Sequence, residues 1–179
     1  MKSENHLLRG ARRLDLETLA EIYDQYSPGL YRYAMRLLGD APLAEDCVSE
    51  TFSRFLRALH AGGGPKEYLQ AYLYRVAHNW ISDHYRRNKV PLTLLDEAAA
   101  VDDGTDTLQA VEISLEQDRV RTALRLLTPD QRQVIVLKFL EGWTNNEVAE
   151  AMKKTEGSVK SLQHRALASL KRILLSESK

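Results

Sequence analysis

Residues 144–172 constrain the fold of this chain most, because two helix starts are followed there by one apolar stripe and a row of cations. Thr144 and Glu147 form the pattern T-x-x-E, a capping box that begins a short helix. Thr155 can cap a second helix, with Ser158 at its third position. Along the second helix apolar residues recur at gaps of three and four: Val159, Leu162, Ala166, Leu170 and Ile173. Two short helices at this spacing predict a helix-turn-helix, which lays its second helix in the major groove of DNA.

The other face of the second helix is polar and mostly cationic. Its candidate DNA contacts are Thr155, Glu156, Ser158, Lys160, Ser161, His164 and Arg165. A charged face is usually only solvated, but its place after a capped short helix favours DNA contact here. Lys153 and Lys154 stand between the two helices, where the motif usually has glycine and then an apolar residue. A left-handed lysine costs about 1 kcal/mol, so we expect a different or looser turn.

The charges of the chain are segregated. The totals, 25 Lys and Arg against 25 Asp and Glu, give a net charge of zero, which alone argues against nucleic acid. Residues 96–118, however, hold eight acids and no Lys or Arg, whereas residues 153–172 hold six Lys or Arg against one Glu. Residues 75–89 hold four Lys or Arg against one Asp. Because a phosphate backbone responds to local potential, two cationic segments around an anionic connector remain compatible with DNA binding.

Almost every periodic stretch has helical spacing, and none alternates convincingly as a strand would, so the sequence predicts an all-α protein. The first predicted helix covers residues 15–26. Its inward residues are Leu16, Leu19, Ala20 and Tyr23. Ser27 and Pro28 then resemble a cap followed by a first-position proline, which predicts a second helix that ends at Gly39.

A third helix is predicted after Ala41 and Pro42, up to the glycine-rich stretch at residues 61–65, and a fourth over about residues 66–89. The buried side of the third comprises Ala44, Cys47, Val48, Phe52, Phe55, Leu56 and Leu59. The buried side of the fourth comprises Leu69, Leu73, Val76, Ala77, Trp80 and Ile81. Both stripes recur at gaps of three and four, as amphipathic helices require.

The chain therefore divides into two small helical domains joined by an acidic linker. We assign a polar N-terminal tail to residues 1–14, the first domain to 15–89, the linker to 90–114 and the second domain to 115–179. In the second domain Thr128, Pro129 and Gln131 supply a cap, a first-position proline and a capping-box glutamine. That helix is expected to end at Gly142, just before the helix-turn-helix.

The polar face of the third helix is a candidate docking surface for a partner. It consists of Glu45, Asp46, Ser49, Glu50, Ser53, Arg54 and Arg57. A solvated outer face explains the same pattern, and the residues alone favour that simpler interpretation.

The fourth helix carries a second candidate DNA surface. Its residues are Lys66, Arg75, His78, Asn79, Ser82, Arg86 and Arg87. Arginine and asparagine can reach base edges, and the cations suit phosphates. Five aromatic residues interleave with them, a mixture that stacks unpaired bases, although most of these rings can equally belong to the core: Tyr68, Tyr72, Tyr74, Trp80 and Tyr85. The loop over residues 61–68 either receives an extruded base or simply connects two helices.

Catalysis, metal binding and membrane insertion are disfavoured by the sequence. Cys47 is the only cysteine, and its place on an apolar stripe predicts a buried small hydrophobe in a reducing cytoplasm. The five histidines make no metal-ligand spacing with it, and Gly62 to Lys66 lacks the phosphate-loop pattern. We expect no metal, no cofactor and no catalytic residue. No apolar run is long enough to span a membrane, and residues 1–15 lack the apolar core of a secretory signal.

Three blocks of the sequence resemble one known family. Residues 43–52 (LAEDCVSETF) resemble the sigma region-two helix that grips RNA polymerase, and residues 72–79 (YLYRVAHN) with 83–87 (DHYRR) resemble the helix that reads the minus-10 promoter element. Residues 127–170 resemble sigma region four. Over about residues 16–174 the chain thus resembles the extracytoplasmic-function (ECF) subfamily of bacterial RNA polymerase sigma factors.

The resemblance implies a role for each surface. The third helix would dock on the polymerase clamp coiled coil. The fourth helix and the glycine loop would bind the non-template strand of the minus-10 element and hold a base out of the stack, and the last helix would read the minus-35 element. It also implies core RNA polymerase, promoter DNA and an anti-sigma factor as partners. An ordinary two-domain helix-turn-helix regulator that acts without polymerase remains the alternative, and the cationic fourth helix counts against it.

Overall fold

All regular structure is helical in residues 4–88 and 108–176, which the computed structural model describes apart from the side chains of 108–115. In this part the helices are α1 (Glu4–Arg12), α2 (Leu16–Leu38), α3 (Ala41–His60), α4 (Leu69–Arg87), α5 (Leu108–Leu126), α6 (Pro129–Ile135), α7 (Asn145–Met152) and α8 (Glu156–Ser176). α6 runs on into a π-helical turn at Val136–Leu140. The all-α prediction is confirmed, with α1–α4 as the first domain and α5–α8 as the second.

The N-terminal segment is a helix and not the polar tail predicted for residues 1–14. α1 packs on α2 and buries Leu7, Leu8 and Ala11. These three positions have helical spacing, but the pattern is short and lies among many charged residues. The sequence therefore did not predict a helix there.

α2 is one continuous helix where the sequence predicted two with a start at Pro28. Asp15 caps it by accepting a hydrogen bond from the Thr18 backbone N–H at 2.9 Å. Pro28 lies on the exposed side of the helix, where its ring removes one backbone hydrogen bond without disturbing the buried stripe. The buried face also differs from the prediction: Thr18, Ile22 and Tyr26 point inward, whereas Leu16, Ala20 and Tyr23 are exposed and Leu19 is half-buried.

α3 and α4 bury most of the residues assigned to the core. On α3 the prediction holds for every position except Leu56, which is exposed. On α4 it holds for Leu69, Leu73, Ala77 and Ile81, whereas Val76 and Trp80 are only half-buried. Cys47 is fully buried as predicted, and burial raises the pKa of its thiol to about 12.

α5 begins at Leu108, inside the segment assigned to the acidic linker (90–114). Apolar residues at 108, 111 and 115 continue the helical spacing of the second domain. This spacing indicates the helix, whereas the acidic composition had suggested a linker. The linker acids at positions 96–106 and the predicted end of the fourth helix at Lys89 lie outside the described residues.

Both capping boxes of the second domain are confirmed. Thr128 pairs with Gln131, and Thr144 pairs with Glu147, whose carboxylate accepts the Thr144 backbone N–H at 2.7 Å. The looser turn expected after α7 is wrong. Lys153 adopts the left-handed conformation (φ 52°, ψ 47°), and the Lys154 N–H donates to the Ala149 carbonyl at 3.0 Å, as in a regular helix end.

Candidate nucleic-acid interface

α8 presents a continuous polar face to solvent. All of the predicted contacts on it are exposed, namely Thr155, Glu156, Ser158, Lys160, Ser161, His164 and Arg165. The Ser158 N–H donates to Thr155 Oγ1 at 3.2 Å and fixes the start of the helix. The helix end that would enter a groove is therefore ordered by its own cap.

The buried side of α8 joins it rigidly to α7, as a helix-turn-helix requires. Val159, Leu162 and Ala166 pack into the core of the second domain, which also holds Val148 and Trp143, the residues on either side of the Thr144 cap. The placement of Val148 and Trp143 is consistent with a hydrophobic staple.

Polar contacts add to this packing. Gln163 Nε2 donates to Asn145 Oδ1 at 2.9 Å, which ties α8 to α7 directly. Lys154 Nζ lies 3.0 Å from an Asp130 carboxylate oxygen, which ties the turn to α6. The recognition helix thus has little freedom to tilt within its domain.

On α4 the candidate DNA contacts separate into accessible and inaccessible residues. Lys66, Asn79, Arg86 and Arg87 are exposed and Ser82 is half-buried. Arg86 forms an ion pair with Asp83 at 2.9 Å. Asn79, Ser82, Arg86 and Arg87 form a polar strip along the C-terminal half of α4, called the cationic strip below because both of its charged residues, Arg86 and Arg87 in the last turn, are cations.

His78 is the first correction to the α4 surface, because only 4% of it is exposed. Its Nδ1 is hydrogen-bonded to Tyr33 Oη at 2.8 Å inside the core, and its Nε2 lies 3.3 Å from Ser82 Oγ. Burial lowers the pKa of His78 to about 4, and the nearby Arg132 charge acts in the same direction. His78 is a neutral core residue in this conformation and cannot contact DNA.

Arg75 is the second correction. Its Nε donates to the Ala151 carbonyl at 2.9 Å and its Nη2 to the Glu150 carbonyl at 3.1 Å. Both acceptors are in the last turn of α7, where cations are favoured by the helix dipole. Arg75 therefore binds the second domain here, and it can meet DNA only when α7 has moved away.

Other contacts also hold the two domains together beside α4. The rings of Tyr74 and Trp143 lie 4.8 Å apart, and Arg36 forms an ion pair with Glu141 at 3.0 Å. Burial raises the pKa of Glu141, partly offset by the Arg36 charge. Arg125 donates to the Leu38 carbonyl at 2.9 Å. The second domain accordingly covers the middle of α4 at Tyr74 and Arg75, and it also contacts Tyr85 near the C-terminal end of the helix.

The aromatic residues proposed to stack bases mostly belong to the core. Tyr74 is buried, and Tyr85 donates a hydrogen bond to the Leu37 carbonyl. Trp80 is half-buried and stacks on His84 at 5.4 Å. Tyr68, immediately before α4, is the most open of the five, with 45% of its surface exposed.

The polar face of α3 lies on the outside of the first domain. Glu45, Asp46, Ser49, Ser53 and Arg57 are exposed, and Glu50 and Arg54 are half-buried. Glu50 Oε1 accepts from Arg54 at 2.8 Å and from Arg57 at 2.9 Å, and the Arg54 hydrogen bond holds the pKa of Glu50 below its ordinary value. The face thus has an acidic N-terminal part and an internally paired C-terminal part.

Sequence reasoning missed two residues that shape the α4 surface. Glu4 of α1 accepts a hydrogen bond from the Leu69 N–H at the start of α4, and Arg12 donates to the Pro65 carbonyl at 3.3 Å. Leu7, Leu8 and Ala11 were the available signal for a helix there, but no local pattern indicates what its charged residues contact.

The fold and its two cationic helices define a two-domain helical protein of the DNA-binding class. The family model described as Sigma-70 region 2 matches residues 22–90, and that described as Sigma-70, region 4 matches residues 117–170. The chain belongs to the ECF RNA polymerase sigma factors of the sigma-70 family.

Two relatives agree with this assignment, and one solved structure has the same fold. The chain is 32% identical to the ECF sigma factor BldN of Streptomyces coelicolor, over 97% of this chain and 66% of BldN. It is 33% identical to SigL of Mycobacterium tuberculosis, over 94% of each. CnrH, solved in complex with the cytosolic domain of CnrY, has the same fold, with a TM-score of 0.71 and 22% identity over 98% of this chain and 99% of CnrH. Across the described helices, none has the length and apolarity needed to cross a bilayer.

Proposed function

We propose that this chain combines with core RNA polymerase in the cytoplasm and directs initiation at a small set of promoters, without a catalytic residue or a cofactor of its own. The observation that carries the proposal is the pairing of an exposed, capped recognition face on α8 with a cationic strip on α4, in two separate domains. Two DNA-facing helices in different domains suit two separated promoter elements better than one operator.

Each surface has a role in this proposal. Thr155 and the six predicted contacts on α8 bind the minus-35 element. Lys66, Asn79, Ser82, Arg86 and Arg87 bind the minus-10 strand, and Arg75 joins them after the domains separate. The α3 face docks on polymerase through Glu45, Asp46, Ser49, Glu50, Ser53, Arg54 and Arg57. An anti-sigma factor is the expected regulator, because a sigma factor of similar fold, RpoE, was solved in complex with the anti-sigma factor NepR from Bartonella quintana.

Run-off transcription with purified core polymerase and a library of random promoters tests the proposal. We expect discrete start sites that appear only when the chain is present, preceded by two enriched sequence blocks. If the chain binds duplex DNA but confers no start-site selection on core polymerase, the polymerase part of the proposal is wrong and the regulator alternative stands.

Arg165→Ala is expected to weaken binding to a minus-35 duplex by about tenfold, since one lost charged contact to a base or phosphate is worth about 1 to 3 kcal/mol. Arg165 is exposed on α8, so its loss leaves the core intact. Competition binding with the selected duplex measures the effect. Arg172→Ala, an exposed arginine nearer the helix end, is the matched control and is expected to change affinity much less.

Asp46→Lys is expected to lower affinity for core polymerase by at least about tenfold, because it reverses a charge in the acidic part of the α3 face. Asp46 is exposed, so the fold should tolerate the change. Fluorescence titration of labelled chain with core enzyme gives the dissociation constant. Asp24→Lys, an exposed acid on α2, is the control. Equal affinity of Asp46→Lys and the parent chain contradicts the docking assignment.

A further inference from the structure

α4 begins without a cap from its own sequence. Tyr68 is the residue before the helix, and its side chain makes no capping hydrogen bond. Its backbone is left-handed (φ 55°, ψ 55°), a conformation that residues other than glycine rarely adopt. Leu69, the first helical residue, is fully buried, so its N–H needs an acceptor inside the protein.

α1 supplies that acceptor. A carboxylate oxygen of Glu4 accepts the hydrogen bond of the Leu69 N–H, although the two residues are 65 positions apart. A negative charge at a helix N-terminus is also electrostatically favourable. Glu4 thereby caps α4 from a different helix.

The other end of α1 holds the same loop at a second point. Arg12 Nη2 donates to the carbonyl oxygen of Pro65, which is itself buried. Lys66, Glu67 and Tyr68 lie between the two tethers, and all three are exposed. Leu7, Leu8 and Ala11 anchor the helix in the core. The two ends of α1 therefore hold the exposed segment of residues 66–68 in place through one hydrogen bond each.

We propose that α1 positions residues 66–68 for the unpaired minus-10 strand, with Glu4 and Arg12 as the positioning residues. The fixed segment presents a cation, Lys66, and an open ring, Tyr68, at the N-terminal end of α4, the helix whose C-terminal half carries the cationic strip. A phosphate contact next to a stacking platform is the combination that binds single-stranded DNA. This proposal rests on the proposed sigma function and adds to it a role for the N-terminal helix.

The test compares Glu4→Ala with Glu4→Gln. The glutamine amide oxygen can still accept the Leu69 N–H, whereas alanine cannot. Each variant is assembled into holoenzyme with core polymerase. Binding is then measured to a single-stranded oligonucleotide that carries the minus-10 sequence selected by the parent chain from the promoter library. Glu17→Ala, an exposed acid at the start of α2, is the control for lost charge.

We expect Glu4→Ala to lower strand affinity about three- to tenfold, the range that loss of a helix cap implies. Glu4→Gln should keep most of the affinity, while minus-35 duplex binding and association with core polymerase stay unchanged in both. In the free chain, amide exchange at Leu69 should be about tenfold faster in Glu4→Ala than in Glu4→Gln.

Unchanged strand affinity in Glu4→Ala, or equal losses in the alanine and glutamine variants, would overturn the positioning role. Should Glu4→Ala fail to fold, Arg12→Ala removes the other tether, and the same losses are expected of it. A parent holoenzyme that selects no start sites refutes the sigma function instead, so the two failures are distinguishable.

Discussion

Arg132→Ala is expected to lower the free energy of unfolding by about 3 to 5 kcal/mol, because it removes a buried cation whose partners remain buried. Arg132 is 5% exposed. Its Nε donates to the Leu124 carbonyl at 2.8 Å, and its Nη2 donates to the Arg125 and Leu127 carbonyls, each at 3.1 Å. These carbonyls are at the end of α5 and just beyond it, where the helix provides few further N–H donors. The Leu124 carbonyl also accepts the Leu127 N–H at 3.3 Å.

The same guanidinium also links the two domains. It lies over the ring of Tyr85 with 4.7 Å to the centroid, and Tyr85 belongs to α4. Arg132→Lys should recover only part of the loss, since one ammonium group cannot reproduce the planar fork that reaches three carbonyls and stacks on a ring.

Urea unfolding followed by far-UV circular dichroism at pH 7 measures the effect. Arg165→Ala removes an arginine from an exposed site and is expected to change stability by less than about 0.5 kcal/mol. A loss below about 1 kcal/mol in Arg132→Ala would show that water or a shifted α5 end satisfies the carbonyls.

The features that the sequence predicted correctly are encoded within a few neighbouring residues. The capping boxes at Thr128 and Thr144 each need a partner three positions on, and both form. The apolar stripe of α8 likewise lies within one helix, so the orientation of its recognition face follows from spacing alone.

The misplaced features depend on contacts between distant segments. Ser27 and Pro28 form a valid local start signal, yet the stripe of Ile22, Tyr26 and Leu30 continues through them and packs in one core. Burial of that stripe outweighs the single helical hydrogen bond that Pro28 removes. Local signals therefore mark where a helix can begin, and packing decides whether it does.

The sequence does not show which of the candidate DNA contacts on α4 are accessible, for a related reason. An amphipathic pattern distinguishes one buried side from one polar side, but α4 is covered on both: its apolar side by α2 and α3, and part of its polar side by α7. Arg75 belongs to that second contact, and the residues that cover it are 75 and 76 positions away. His78 is instead hydrogen-bonded to Tyr33 of α2, 45 positions away. The sequence near a polar side chain does not indicate whether that side chain contacts another domain or DNA.

Acidification is expected to destabilise the protein through His78 before its carboxylates titrate. Burial and the Arg132 charge lower its pKa to about 4 in the folded state, against an ordinary value of 6.5, although Asp130 and the Pro129 carbonyl act in the opposite direction. As pH falls, the unfolded chain therefore binds a proton before the folded chain does. Stability from this residue is complete above pH 6.5 and is lost as pH falls from 6.5 towards 4.

The loss has a slope of up to about 1.36 kcal/mol per pH unit and should reach roughly 2.5 kcal/mol at pH 4.5. His78→Gln removes the titrating group, so the difference in unfolding free energy between the parent chain and His78→Gln should change by that amount between pH 7.5 and 4.5. His84, whose pKa is also lowered, is present in both chains and cancels. Nuclear magnetic resonance titration of the His78 imidazole gives its pKa directly. A midpoint near 6.5, or a difference that does not vary with pH, would mean that Tyr33 and the covering second domain do not keep this imidazole neutral.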